Sequence, residues 1–318
     1  MAGTILLTGA NSSLGIPAVE HLLTTYPDHT ALLTVRDDSE SDINTQRLRE
    51  TISRFRNAKV KIKALDLASL TAVHTFADQI RFDISNTEYP PLSAIIANAY
   101  YWNLVKGPEI TPDGFDKTIQ VAHIAHSALI LRLLGSFGEK GRIVLLSSEA
   151  HWSGKNFMQK YAPIIPEDLD ELIRPFCDAD KSGRGFQRYS TAKLAVTTWL
   201  YPLNRYLQAD ASLSKICAVA IDPGNLIDSR ALFVLKPLLP LLKLAMGPKL
   251  RRSAPAGVDV IELSVNAKYV DKRAYYTMSQ ESESSPDSKD EEKQEKLWNK
   301  TLEWAKITSE KTTLKLAS

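Results

Sequence analysis

The chain has 318 residues, 44% of them hydrophobic, with 39 Lys and Arg against 37 Asp and Glu and a formal net charge of +2. That length buries a substantial core without disulfide or metal staples, and the near-neutral balance points to neither nucleic acid nor an anionic membrane surface. Two cysteines, Cys177 and Cys217, are too few for a disulfide framework, so a reducing, cytoplasmic setting is the expectation.

Short β-rich apolar runs are read as strands over 4–8, 31–35, 59–64, 93–97, 142–147 and 216–221. Between them, amphipathic patterns predict helices over 16–24, 42–55, 69–80, 115–134 and 190–207. Apolar strands alternating with helices imply an α/β fold, a doubly wound parallel sheet covered on both faces. With no repeat and no linker, the chain reads as one domain over 1–318, carrying an insertion at 152–187 and a substrate loop at about 226–250. Because a buried strand starts almost at Met1, no secretory signal is read. The apolar stretch 231–246 is interrupted by Lys236, Pro237, Pro240 and Lys243, short of the ~18–20 apolar residues of a spanning helix. A soluble protein is expected, with that stretch free to touch a membrane or a greasy ligand. Residues 279–295, rich in Ser, Asp, Glu and Lys, read as a solvated surface connection, and 297–307 as a short closing helix with Trp298, Leu302 and Trp304 available to pack.

The first strand runs into Gly9-Ala10-Asn11-Ser12-Ser13-Leu14-Gly15 and then a helix. Small residues there let the backbone approach a pyrophosphate, and the helix N-terminus favours its anionic oxygens. Gly9 would make the tight turn and Gly15 the close helix–strand contact, although a strand-to-helix turn also wants glycine for conformation alone. At the tip of the second strand, Arg36 is placed to accept the 2′-phosphate of NADP, with Asp37 and Asp38 leaving some room for NAD.

Tyr189 and Lys193 stand four apart on one predicted helix and therefore share a face. A free phenol, pKa near ~10, is a poor base at neutral pH. A neighbouring ammonium is expected to favour the phenolate, permitting proton exchange with an alcohol or carbonyl oxygen. The strand over 142–147 ends at Ser147-Ser148, and ligands gather at the carboxyl ends of strands in an open parallel sheet.

Thr8 to Gly15 resembles the Thr-Gly-x-x-x-Gly-x-Gly fingerprint of the short-chain dehydrogenase/reductase family, with Ser13 at the middle glycine position. The resemblance implies a nicotinamide cofactor, NADP(H) on the strength of Arg36, bound by Gly9, Asn11, Ser12, Ser13, Leu14 and Gly15. It implies Asp66 and Leu67 at the adenine, Asn98 and Ala99 along the cofactor, and Pro223-Gly224 as the turn over the nicotinamide. It also implies Ser148, Tyr189 and Lys193 as the catalytic residues, with Tyr189 and Lys193 touching the cofactor as well, and Ser147 in a packing role. No metal is implied. The matches run in order from Thr8 to Gly224, and Thr111-Pro112-Asp113-Gly114-Phe115 and Lys296-Leu297-Trp298 echo the retinol-dehydrogenase-like and sterol-ketoreductase-like branches.

Departures are equally specific. Tyr100 puts bulk where the family has glycine, and Ala122 replaces the Asn of the catalytic tetrad, leaving a proton relay to another group, with His123 a remote candidate. Asp228 and Ser229 stand where a Thr is often found. The insertion, with Trp152, Phe157, Tyr161, Ile164, Ile165, Leu169 and Phe176, and the apolar stretch 231–246 form two apolar flaps. They imply a bulky lipophilic substrate such as a terpenoid, sterol or polyketide, or else plain core or an oligomer interface; relatives are often dimers or tetramers. The expected function is an NADP-dependent interconversion of a ketone and a secondary alcohol. The alternatives are an isomerase or cyclase on the same scaffold, and a cofactor-binding protein without turnover.

Overall fold

The computed structural model describes residues 2–177, 179–230 and 250–316, so the apolar stretch at 231–246 lies outside the described residues. Eight strands form one sheet in the order β10-β9-β6-β5-β4-β1-β2-β3. They are β1 (Thr4–Thr8), β2 (Thr30–Val35), β3 (Val60–Ala64), β4 (Leu92–Ala97), β5 (Phe137–Leu146), β6 (Ile216–Asp222), β9 (Tyr275–Thr277) and β10 (Gln280–Ser282). All neighbours are parallel except the β9–β10 hairpin at one edge. A separate two-stranded pair, β7 (Asn225–Leu226) with β8 (Leu250–Arg251), follows β6.

β1 shows why the sheet is buried on both faces. Leu6 joins one hydrophobic core and Ile5 and Leu7 the other, since successive side chains leave a strand on opposite sides. The first core packs under α3 (Leu70–Ser85), α5 (Ala125–Leu133), α7 (Lys181–Ala209) and α9 (Glu291–Trp304). The second packs under α1 (Gly15–Thr25), α2 (Ile43–Ser53) and α8 (Ser253–Val265). Strand order reverses between β1 and β4, which opens a crevice at their carboxyl ends.

Every predicted strand and helix is present, the first strand with the expected bounds and the others with shifted ends. Asp42 and Ser69 are the N-caps of α2 and α3, accepting from the Thr45 and Ala72 amides, rather than their first helical residues. The predicted helix over 115–134 is a short α4 (Lys117–Ile119), a π turn (Gln120–Ile124) and α5. Lys117–Ser136 is the one helix among the described residues long and apolar enough to cross a membrane, and 94% of its most apolar stretch is buried.

α7 starts nine residues before the predicted 190, capped by Asp180, whose carboxylate accepts from the Gly183 amide. Gly185 hid this start, because glycine is a poor helix former. Its reason is steric: a Cβ there would stand 2.3 Å from the Asn103 carbonyl oxygen.

Residues 279–295 are not a solvated connection. They hold β10, a 3₁₀ turn (Pro286–Lys289) and the start of α9, with Ser284, Ser285 and Ser288 buried. The serines fold inward because each hydroxyl or amide finds a partner: Ser284 bonds Tyr201, and the Ser285 amide donates to His151. The closing helix is therefore longer than expected, with Trp298 stacked between Trp199 and Tyr206.

Candidate active site

The Gly-rich turn is locked from two sides. Gly9 has φ +63°, and a Cβ on it would meet Ala99 at 3.1 Å; a Cβ on Gly15 would stand 2.6 Å from the Gly9 and Ala10 carbonyl oxygens. Asn98 donates from Nδ2 to the carbonyls of Thr8 (2.8 Å) and Gly9 (3.1 Å) and to Ser12 Oγ (3.2 Å). Ser12 Oγ also takes the Gly15 amide at 2.9 Å. Asn11 ties the turn to the start of α2 through Thr45 Oγ1 at 2.9 Å. The first turn of α1 carries no acidic residue, so no carboxylate competes with an anion at its positive end. A cradle that excludes Cβ atoms next to a helix N-terminus without acidic side chains fits a dinucleotide diphosphate.

Ser12, Ser13, Leu14 and Asn98 line one cavity of about 360 Å³, together with Ser148, Tyr189, Lys193, Pro223 and Gly224. Ser148, at the carboxyl end of β5, shares the cavity with the Tyr189 phenol and accepts the Ala150 amide at 3.2 Å. Ser147 turns away, its hydroxyl on Thr197 at 2.6 Å. Lys193 is buried, donating from Nζ to the Leu146 carbonyl at 2.6 Å, with Nζ 5.9 Å from the Tyr189 ring centre. Gly224, φ +82°, makes the turn after β6, its amide bonded to Asp222 Oδ1 at 2.9 Å.

The electrostatics reverse one expectation. Burial pushes the Tyr189 phenol pKa up, and the Tyr100 phenol beside it adds to the rise, while Ser148 opposes it. Burial also lowers Lys193 to about 7, with Asp222 opposing that fall. Lys193 therefore does not hold Tyr189 as a phenolate; at neutral pH the resting phenol is neutral and poised to give a proton.

Asp222 is a site residue that sequence reading passed over, although it stands directly before Pro223-Gly224. It lines the cavity, and burial raises its carboxyl to about 6. Depressing Lys193 means that the folded chain binds fewer protons than the unfolded chain between pH 7 and 10.5. Its contribution to stability therefore rises with pH across that window. Lys193→Met removes this rise, so its stability relative to wild type should be greatest near pH 7 and fall towards pH 9–10. Parallel denaturant midpoints at all pH values would contradict it.

Ala122 is buried and does not line the cavity, and its carbonyl is taken by His126. A carbonyl only accepts, so His126 Nδ1 carries the proton at 3.1 Å, and Nε2 accepts from the Thr8 hydroxyl at 2.8 Å. Thr8 Oγ1 in turn accepts the amides of Asn98 and Ala99 at 3.0 and 3.1 Å. His123 is no relay: it is buried against Thr301 and Trp199, away from the cavity, with burial holding it down to about 3.

The cavity wall is aromatic. Tyr100, Trp102 and Phe186 hold their rings 5.8, 5.3 and 5.8 Å from that of Tyr189. Of the described residues of the insertion, Asn156, Phe157, Met158 and Phe186 line this cavity. Ile165 and Leu169 are plain core, while Ile164 and Phe176 line a second cavity of about 340 Å³ beside α7. Gly9, Asn11, Gly15 and Ala99 stand behind the cavity as its frame.

Arg36 and Asp66 lie outside the cavity, exposed after β2 and β3. Asp66 accepts the Ala68 amide at 2.9 Å and is not a helix cap, while Leu67 is buried beside it. Asp228 is committed to the start of α8, accepting the Ser253 amide and hydroxyl.

A family profile described as the AcuH dehydrogenase domain matches residues 218–314. The chain is 28% identical to the short-chain dehydrogenase iccH of Talaromyces variabilis over 98% of both chains. It is 46% identical to the dehydrogenase acuH of Aspergillus aculeatus over 82 residues, 26% of this chain and 83% of that one. The fold matches the crystal structure of the angucycline C-6 ketoreductase LanV with bound NADP at a TM-score of 0.62 and 18% identity, covering 87% of this chain and 93% of that chain. With the Gly-rich cradle, the Ser148–Tyr189–Lys193 cluster and these relatives together, the chain belongs to the short-chain dehydrogenase/reductase family.

Proposed function

We propose that this chain is an NADP(H)-dependent oxidoreductase that interconverts a ketone and a secondary alcohol on a bulky lipophilic substrate. The observation that carries this reading is the meeting of Ser148, Tyr189 and Lys193 in the one cavity that the phosphate cradle also lines. NADPH, when bound, supplies a hydride to the substrate carbon. Ser148 and Tyr189 hold the substrate oxygen between two hydroxyls, and Tyr189, kept neutral by burial, donates the proton. Lys193 is fixed beside it by the Leu146 carbonyl. The rings of Tyr100, Trp102, Phe157 and Phe186 offer a wide apolar wall with few polar contacts, which suits a polycyclic ketone.

Arg36 supports the choice of NADP(H), exposed at the strand end with no ion pair among the described residues. The test is NADPH absorbance against a panel of polycyclic ketones. The expected result is stoichiometric oxidation, a kcat/KM at least ~10-fold higher with NADPH than with NADH, and loss of that preference in Arg36→Gln. Product formed at constant absorbance, or a clear NADH preference, would overturn it.

A further inference from the structure

The segment leaving the Pro-Gly turn lies on the phosphate cradle, where the two residues that replace family glycines stand beside it. Ser13 Oγ accepts the Arg230 amide at 3.1 Å. Tyr100 lines the same cavity as Ser229 and Arg230 and stands beside them. Arg230 then reaches back over the turn, its Nη2 donating to the Asn11 carbonyl at 2.6 Å. Arg230 lines the same cavity as Ser12, Ser13 and Leu14.

We infer that Arg230 is a diphosphate-binding residue of the cofactor site, held at the cradle by Ser13 with Tyr100 beside it. Three observations support this. A guanidinium presents a planar fork suited to two phosphate oxygens, and a single neutral carbonyl uses little of it. No carboxylate lies within ion-pair distance of Arg230 among the described residues; Asp42, the nearby acid, spends its Oδ1 on the Thr45 amide and Asn11 at the start of α2. Arg47, on α2, adds a second positive charge near enough to act on Arg230. Two cations beside a helix end that carries no acidic side chain favour a strong anion. Ser13 thus fixes the main chain of the segment on the turn, while Tyr100 packs beside it, and this leaves the guanidinium to reach across the cradle.

The inference rests on the reading of the site as a nicotinamide-dinucleotide site, and its test separates the two. Dissociation constants for NADPH and NADH are measured by fluorescence titration of the full chain, in wild type, Arg230→Gln, Arg230→Lys, Ser13→Gly and Arg36→Gln. The diphosphate is common to both dinucleotides. Arg230→Gln should therefore weaken NADPH and NADH by the same factor, roughly 10- to 100-fold, with partial recovery in Arg230→Lys. Ser13→Gly, which keeps the guanidinium and loses its anchor, should give a smaller loss shared equally by the two dinucleotides. Arg36→Gln should weaken NADPH alone. If Arg230→Gln binds both within two-fold of wild type while Arg36→Gln weakens NADPH, the assignment of Arg230 falls and the cofactor reading stands. If wild type binds neither dinucleotide, both fall. Arg230 is exposed, so its variants should unfold at the wild-type midpoint, which a melting curve checks.

Discussion

Tyr189→Phe is expected to lower turnover by roughly 10²- to 10⁴-fold while leaving the dissociation constant for NADPH within a few-fold of wild type. The substitution removes one hydroxyl and keeps the ring packed among Tyr100, Trp102 and Phe186, so the cavity walls stay in place. What disappears is the proton donor that shares the cavity with Ser148. Ser148→Ala leaves the donor and removes only its orientation and one contact to the substrate oxygen, so its loss should be smaller. Because the two hydroxyls act on one oxygen, the double variant should be little worse than Tyr189→Phe alone. Near-wild-type turnover in Tyr189→Phe would show that the proton comes from elsewhere, with Lys193 and Asp222 the groups next to be tested.

Trp298→Ala is expected to destabilise the chain by about 3–5 kcal/mol. Trp298 is 2% exposed, its ring stacked 5.7 Å from Trp199 and 4.6 Å from Tyr206, both on α7. Truncation opens a cavity between α9 and α7 that rigid helices cannot close. The same helix carries Tyr189 and Lys193, so the contact steadies the element that holds both in the cavity. Trp298→Phe should restore most of the stability by refilling the gap. Denaturant midpoints report the change, and a loss under about 1 kcal/mol in the alanine variant would mean that α9 contributes little to holding α7.

Much of the frame was legible because it depends on local pattern. Apolar runs of five or six residues between amphipathic stretches can bury their surface only in a parallel sheet, and the glycines of the first turn report a backbone that must pass close to its neighbours. The helical spacing of Tyr189 and Lys193 placed both in one cavity, and Ser148 followed from its strand end. Where local pattern misled, a distant partner was the cause. The start of α7 was hidden by Gly185, whose missing Cβ is demanded by the backbone of Asn103. The polar run at 279–295 reads as solvated, yet its serines are satisfied by Tyr201 and His151, far away in the chain.

By itself, then, the sequence determined the sheet, the phosphate turn and the helical spacing that puts Tyr189 and Lys193 in one cavity, because periodicity and short-range geometry decide those. Only the tertiary structure decided their protonation. Tyr189 and Lys193 are neighbours on a helix in either view, but their charge states follow from how deeply the fold buries them and from Tyr100 and Asp222, which arrive from β4 and β6. It likewise decided that Ser13, Tyr100 and Arg230 meet, across separations in the chain that no spacing rule spans. Desolvation and long-range contact are properties of the packed molecule, and they set what the residues at this site can do.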